Sequence, residues 1–193
     1  MKILIAGDSF AADWKIKHNG NGWVNMLSND YEITNIAQAG VSEYKIYQQL
    51  ITHDTTKYDK IIISHTSAYR IPVVEHPIHS KDVLHSNCDL IYTDIKEHEH
   101  NPKVKCVVEF YENYFHVDNA IFTHTLIVDE IKRLYPNAIN ITFFNSFNKD
   151  MNQYESVFLN NMGNMNHMNY SGNKIIYEKI KTILNNCNNL SSK

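Results

Sequence analysis

The sequence is poor in cysteine, proline and glycine, with three, four and six of these residues among 193. The cysteines, Cys88, Cys106 and Cys187, are odd in number and widely spaced, so they form neither a CxxC metal pair nor a disulfide framework. A chain of this length buries about two-thirds of its unfolded surface without such crosslinks. We therefore expect one domain, over residues 1–193, in a reducing compartment.

Long hydrophobic runs and an excess of one charge are also missing. The formal net charge is −3, from 18 basic and 21 acidic residues, which argues against broad electrostatic binding of nucleic acid or of an anionic membrane. The first apolar run, Ile3 to Ala6, ends at Gly7 and is too short for a signal peptide or for the roughly 20 residues of a membrane span. We expect a cytoplasmic protein with neither nucleic acid nor membrane as a partner.

Short apolar runs alternate with helical periodicities along the chain. The runs at residues 3–6, 33–37, 61–63 and 139–144 are typical of buried strands, and helical spacing of apolar residues fills the segments between them. Strands that alternate with helices predict a parallel sheet covered by helices on both faces. We expect the strand order 2-1-3-4, with room for a fifth short strand. Ser42 and Asp118 are the predicted caps of two helices.

The stretch from residue 71 to 105 breaks this rhythm. It holds three of the four prolines and five of the eleven histidines, and it has no sustained periodicity. We expect a long excursion at the carboxyl end of the third strand, where open α/β sheets bind ligands. The polar residues from about 185 to 193 predict a frayed tail.

The most informative segment is the tight turn after the first strand, Gly7-Asp8-Ser9. A serine there would expose its hydroxyl at the carboxyl edge of the sheet, although it could instead only cap the next helix. Two further blocks follow. Asn35 stands after the second strand with Gly40 five residues later, and His167 precedes the last predicted helix with Gly172 five residues later.

Together these blocks resemble the SGNH (GDSL-type) hydrolases, and they occur in that family's order at both ends of the chain. The resemblance implies a flavodoxin-like three-layer α/β/α fold and hydrolysis of a carboxylic ester without metal or organic cofactor. On this resemblance Ser9 is the nucleophile and His167 is the general base. The N–H groups of Ser9 and Gly40 would stabilise the oxyanion. Residues 71–134 carry no motif of the family.

Two blocks depart from the family pattern. The segment after the third strand lacks the Asn that donates to the oxyanion hole, so the third donor must be Thr66, Ser67 or His65, or be absent. Loss of one donor costs about 10²–10³ in rate. Asn164 stands where the family has the acidic triad member. An Asn oxygen or a backbone carbonyl could orient His167 instead, and the alternative is an inactive relative that keeps the fold.

The substrate is less sharply defined by the sequence. The polar excursion favours a small-molecule or carbohydrate ester, with an acyl or O-acetyl group to be removed. Arg70 could contact a polar or anionic substrate group together with His65, or it could pair with a loop carboxylate. A binding protein with a vestigial Ser9 and an acyltransferase are the other functions that fit. Nothing in the sequence sets the oligomeric state.

The histidines of the excursion are the strongest candidates for a metal site. His76 and His79 are three residues apart, with Glu75 and His85 nearby. Their segment contains Pro77, so it is not a helical turn, and no established metal motif is present. We therefore predict no metal site and expect these side chains to line a pocket.

Overall fold

The computed structural model describes residues 1–16, 21–144, 150–163 and 167–190. The strands are β1 (Lys2–Gly7), β2 (Glu32–Asn35), β3 (Lys60–His65), β4 (Ile139–Thr142) and β5 (Asn152–Gln153). The helices are α1 (Trp23–Leu27), α2 (Glu43–Ile51), α3 (Tyr92–Glu97), α4 (Pro102–Asn113), α5 (Val117–Leu134), α6 (Glu155–Asn160) and α7 (Tyr170–Leu190). Short 3-10 turns lie at Trp14–Ile16 and Thr55–Lys57.

The five strands form one parallel sheet in the order β2-β1-β3-β4-β5. This confirms the predicted order, and the short fifth strand extends the sheet beyond β4. Ile5 of β1 lies opposite both Asn35 of β2 and Ile62 of β3. Because the strands are parallel, the segments that follow β1, β2 and β3 all emerge at one edge of the sheet.

Helices cover both faces of the sheet, which confirms the flavodoxin-like three-layer α/β/α class. On one face, α1 and α7 pack over a cluster that includes Ile5 and Ile62. On the other face, α2 and α5 pack over Ala6 and Ile63. Neighbouring residues of a strand point to opposite faces of the sheet. Consecutive β-branched residues therefore pack against the helices on both faces. Each fully buried Ile contributes about 1.5–3 kcal/mol relative to an exposed one.

The excursion after β3 is anchored to α2 by the buried carboxylate of Asp89. Its Oδ1 accepts the N–H of Val73 at 2.9 Å and pairs with Lys45 Nζ at 2.7 Å, and its Oδ2 accepts the N–H of Ser42 at 2.7 Å. An antiparallel bridge between Ile71 and Leu90 closes the base of the loop. Its two helices, α3 and α4, bury a small apolar cluster of their own.

Of the two predicted helix caps, Ser42 is confirmed in position and Asp118 is wrong. Ser42 stands at the N-cap of α2, as expected, but its hydroxyl makes no capping hydrogen bond. The N-cap of α5 is His116, whose Nδ1 accepts the N–H of Asn119 at 3.2 Å, and Asp118 lies in the first turn. The cap of α5 thus lies two residues before the predicted one. Asp118 is in the first helical turn, where the helix dipole stabilises a negative charge.

The last helix, α7, extends to Leu190 and therefore passes residue 185, where the sequence predicts the tail to begin. Ile176, Ile180 and Leu184 form its buried stripe against the sheet. Residues 191–193 lie outside the described residues. Within the described segments, no helix combines the length and the apolar character that crossing a bilayer requires.

Gly7 marks the place where the end of β1 passes closest to β3. Its φ is +150°, and a Cβ atom there would lie 2.6 Å from both the Cβ and the carbonyl oxygen of Ser64. Gly7→Ala is expected to lower the free energy of unfolding by about 2 kcal/mol or more, since the strained φ and the backbone clash act together. Chemical denaturation measures the change.

Gly22→Ala is the matched control for this prediction. Gly22 has a φ of −66°, and a Cβ there would meet its nearest neighbour, Asn25 Oδ1, at 3.5 Å. We expect the control to lower the free energy of unfolding by no more than about 1 kcal/mol, the typical cost of alanine at a helix N-cap. Equal losses in the two variants would show that the close approach of Gly7 to Ser64 is not a constraint on the fold.

Candidate functional site

The turn after β1 is held in shape by Asp8. Its Oδ1 accepts the N–H of Phe10 at 3.1 Å and the hydroxyl of Ser64 at 3.2 Å, and its carbonyl accepts the N–H groups of Ala11 and Ala12. The side chain is fully buried, and burial raises its pKa to about 6, although the Arg70 guanidinium favours the charged form. Asp8 therefore fixes the backbone on which Ser9 is carried.

Gln49 of α2 bonds the backbone at the start of the same turn. Sequence reasoning did not identify this residue. Its Oε1 accepts the N–H of Gly7 at 2.8 Å, and its Nε2 donates to the Gly7 carbonyl at 3.1 Å. Both backbone groups of Gly7 are thus satisfied inside the protein. The available signal was a glutamine within the apolar stripe of Ile46 and Leu50, since a polar residue there is buried and needs a partner.

Asn35, at the end of β2, links that strand to the segment that follows Ser9. Its Nδ2 donates to the carbonyl of Ala11 at 2.9 Å, and its Oδ1 accepts the N–H of Ala37 at 3.0 Å. The first two sequence blocks are therefore joined by a side-chain contact at the sheet edge.

Gly40 occupies a backbone conformation that favours glycine. Its φ is +76°, and a Cβ atom there would lie 2.5 Å from the Cβ of Cys88. The Gly40 carbonyl accepts the N–H of Asp89 at 2.9 Å and Arg70 Nη1 at 3.0 Å. Among residues 1–16, 21–144, 150–163 and 167–190, nothing accepts a hydrogen bond from the backbone N–H of Ser9 or of Gly40.

His167 lies beside the turn that carries Ser9. Its ring centroid is 4.5 Å from that of Trp14 and 5.2 Å from that of Phe10. The indole N–H of Trp14 in turn donates to the carbonyl of Ser9 at 2.8 Å. The fold thus brings the first and the last sequence blocks to one place, with Trp14 between them. Asn164, the predicted orienting partner, lies outside the described residues.

The His65 side chain is held entirely by the protein. It is 1% exposed, its Nδ1 donates to Glu43 Oε1 at 2.6 Å, and its Nε2 donates to Asn140 Oδ1 at 2.9 Å. The Asn140 amide donates to the carbonyl of Ala138, which leaves the amide oxygen facing His65. Both ring nitrogens of His65 are then donors, so the ring is an imidazolium.

Glu43, a second residue that sequence reasoning missed, is the counter-ion of His65. Its Oε2 accepts the N–H of Thr66 at 3.1 Å and lies 3.3 Å from Nε2 of His124. Burial by itself would raise the pKa of Glu43, but the charge of His65 and the hydrogen bonds from both histidines lower it to about 2. Burial lowers the pKa of His65, but the charge of Glu43 and the hydrogen bonds to Glu43 and Asn140 together leave it raised.

Two further residues after β3 differ in whether their hydrogen-bonding groups are used inside the protein. Thr66 is buried, its N–H is bonded to Glu43, and its Oγ1 accepts Arg70 Nε at 3.3 Å. Ser67 is half-buried, and its Oγ accepts the N–H of Tyr69 at 3.4 Å, which leaves the hydroxyl proton free to donate. Within the described part of the chain, no carboxylate lies within ion-pair distance of Arg70.

The excursion gathers four of its histidines into one cluster. Ring centroids are 4.7 Å apart for His76 and His79, 5.7 Å for His79 and His85, and 6.0 Å for His79 and His98. The ring of His85 also lies 6.4 Å from Trp14, so the cluster borders the turn of Ser9. The predicted role of these histidines as a pocket wall stays a prediction.

Part of this cluster has the spacing of a metal site but not the protonation that such a site needs. Ligand atoms of His76, His79 and Asp94 lie within 4.8 Å of one another. However, Nδ1 of His76 accepts two backbone N–H groups at 3.2 Å each, which places the ring proton on Nε2, the atom that faces Asp94. Metal-bound histidines donate from the other ring nitrogen, the reverse of this arrangement. Burial lowers the pKa of His76 to about 4.

Glu43→Gln is expected to lower the free energy of unfolding by about 3–5 kcal/mol, because it leaves the buried charge of His65 without a counter-ion. The contribution of the raised His65 pKa is full below pH 6.5 and is lost as pH rises through the folded value. That of Glu43 is full above pH 4.5 and is lost as pH falls towards 2. Denaturation curves across pH should show both slopes in the wild type and neither in the variant.

Glu130→Gln is the control, since Glu130 pairs with Arg133 Nε at 2.7 Å on an exposed helix face. We expect only a small loss of stability, because solvent screens the charges of an exposed ion pair. If the two variants were equally stable, the pair of Glu43 and His65 would not be the buried ion pair described here.

No family model matches the sequence, and no curated protein is detectably similar to it. Among solved structures, a protein from Desulfitobacterium hafniense DCB-2 that is assigned to the G-D-S-L family of lipolytic proteins aligns with 92% of this chain and 95% of its own. The two sequences are 14% identical, and the TM-score is 0.39. A likeness of this degree says nothing about activity.

Proposed function

We propose that this chain is a serine ester hydrolase of the SGNH type, with Ser9 as the nucleophile and His167 as the general base. The placement of His167 supports this most directly. Its ring packs on Trp14, which bonds the Ser9 carbonyl, and on Phe10, the next residue after Ser9. The alternative role of Ser9 as a helix cap has less support, since the next helical turn begins at Trp14.

In the proposed reaction, the Ser9 oxygen attacks the ester carbonyl carbon while His167 accepts the hydroxyl proton. The tetrahedral intermediate then collapses, the C–O bond to the alcohol breaks, and His167 gives its proton to the departing oxygen. Water attacks the acyl-enzyme in the same way, which releases the carboxylic acid and restores Ser9. No step uses a metal or an organic cofactor.

The proposed oxyanion hole consists of the backbone N–H groups of Ser9 and Gly40. Both donors are unused by the described residues, and each belongs to a backbone segment held by several hydrogen bonds. Preorganised donors of this kind stabilise the transition state without reorganisation. Ser67 is the proposed third donor. His65 and Thr66, whose polar groups are bonded internally, become positioning residues.

As a general base, His167 needs an acceptor for its Nδ1–H that holds the ring in orientation. Asn164 is the candidate acceptor for its Nδ1–H, and a backbone carbonyl could take the same place. The substrate that we propose is a small-molecule or carbohydrate ester, because His85, one of the clustered histidines, lies beside Trp14 and brings a hydrogen-bonding ring to the site.

A fluorophosphonate probe tests the nucleophile directly. We expect a single adduct on the native protein, located at Ser9 by peptide mapping, and no adduct on Ser9→Ala. Ser28→Ala, at a serine bonded to the Asn25 carbonyl near the surface, should be labelled like the wild type. If the folded native protein stays unlabelled, the chain is a binding protein of this fold and the hydrolase proposal fails.

Turnover of an activated acetyl ester tests the pair. Ser9→Ala and His167→Ala should each lower kcat/KM by about 10³-fold or more, and the double variant should be no slower than either single variant, because the two side chains act as one unit. Additive losses in the double variant would mean that Ser9 and His167 do not act in the same step.

A further inference from the structure

A pocket of about 300 Å³ opens on the side of the sheet edge that α2 and α5 cover. Its walls come from the first turn of α2, residues 67–72, the end of α4 and the first half of α5. Ser9, Gly40 and His167 do not line it. The pocket therefore adjoins the proposed ester site: Ser67, the proposed third donor, and Arg70, which bonds the Gly40 carbonyl, both line it.

The wall of this pocket is largely apolar and aromatic. Phe110, Tyr114, Phe115 and Ile127 are among its lining residues. Phe110 is 43% exposed and Tyr114 is 76% exposed, so two large rings stand open to solvent at the same opening. Exposed rings around a concave surface are typical of a binding site for a partly apolar molecule.

Ser42 brings an unsatisfied hydroxyl to this pocket. Ser42 is 3% exposed, lines the pocket, and its Oγ has no hydrogen-bond partner among the described residues. Its N–H is already taken by Asp89, and its hydroxyl does not cap α2. A buried hydroxyl without a partner is rare, because the lost contact with water is not replaced. Because its Oγ is closed to solvent, the Ser42 side chain would have to rotate about χ1 to reach a polar ligand atom in the pocket.

Arg70 brings a positive charge that no carboxylate neutralises directly. Of the neighbouring buried acids, Glu43 is paired with His65 and Asp89 with Lys45, whereas Asp8 interacts with the Arg70 charge without an ion-pair contact. Of the five guanidinium N–H groups, one donates to Thr66 Oγ1 and one to the Gly40 carbonyl. The others are available to a ligand, and the N-terminus of α2 adds positive potential at the same end of the pocket.

We propose that this pocket binds a small organic carboxylate with an aromatic or branched apolar body. The carboxylate accepts hydrogen bonds from Arg70 and from the Ser42 hydroxyl, and the apolar body covers Phe110 and Tyr114. The volume lies at the lower end of small-molecule sites, which suits a single ring with a short chain. Such an acid is either the product that an ester hydrolase releases or an independent effector. The chemistry is the same in both cases.

Calorimetric titration with three probes of one shape tests the charge preference. The probes are 3-phenylpropionate, 3-phenylpropanol and 3-phenylpropylamine. The carboxylate should bind at least about 10-fold more tightly than the alcohol, since a charged hydrogen bond to Arg70 is lost, and the amine should not bind. Equal binding of the acid and the alcohol would overturn the proposal.

Three variants locate the binding. Ser42→Ala should weaken 3-phenylpropionate binding by about 3–10-fold without lowering Tm, because the hydroxyl makes no hydrogen bond inside the protein. Ala120→Trp fills the pocket and should abolish binding, whereas Leu126→Trp, on the exposed face of the same helix, should leave it unchanged. Unchanged affinity in Ser42→Ala, or in Ala120→Trp, would overturn the proposal.

The Ser9→Ala protein separates this inference from the ester hydrolase proposal. It should bind 3-phenylpropionate with wild-type affinity, because Ser9 does not line the pocket. If its affinity is lost, the pocket is not a separate site. A wild-type protein that hydrolyses esters but does not bind the acid would overturn the pocket alone. Hydrolysis of ethyl 3-phenylpropionate by the wild-type protein would make the acid a reaction product, whereas binding of the acid without such hydrolysis would make it an effector.

Discussion

The buried carboxylate of Glu43 joins the segments that converge at the carboxyl edge of the sheet. From the first turn of α2 it accepts hydrogen bonds from the end of β3, through His65 and Thr66, and it lies beside His124 of α5. A carboxylate can accept several hydrogen bonds at once, so one side chain fixes three elements relative to one another. The positive charge of His65 offsets the cost of burying the Glu43 carboxylate, because an unpaired carboxylate there would be strongly destabilising.

A steric constraint works beside this electrostatic one. Gly7 and Gly40 both adopt positive φ where a Cβ would collide with a neighbouring residue. The backbone at the ends of β1 and β2 therefore approaches Ser64 and Cys88 more closely than any other residue would permit. This closeness places two unused N–H groups at the sheet edge, where an anion or an oxyanion could be held.

The two proposed sites share this edge and differ in chemistry. Near Ser9 and His167 the surroundings are histidines and Trp14, which are suited to proton transfer and hydrogen bonding. On the α2–α5 side the surroundings are aromatic, and the guanidinium of Arg70 has no carboxylate within ion-pair distance among the described residues. Because Arg70 bonds the Gly40 carbonyl, a ligand that attracts the guanidinium also acts on the backbone of the proposed oxyanion hole.

The sequence by itself determined the order of strands and helices and the residues of the turns, because strand and helix periods and glycine requirements are local properties. It also pointed to Ser9, Gly40 and His167. Only the tertiary structure decided what surrounds them. The roles of Gln49, Glu43 and Ser42 depend on which atoms from distant parts of the sequence lie beside them. A polar residue within an apolar stripe shows that a hydrogen-bond partner is needed, but the sequence does not identify that partner. Burial and long-range hydrogen bonding, which set charge and protonation here, exist only once the elements are packed.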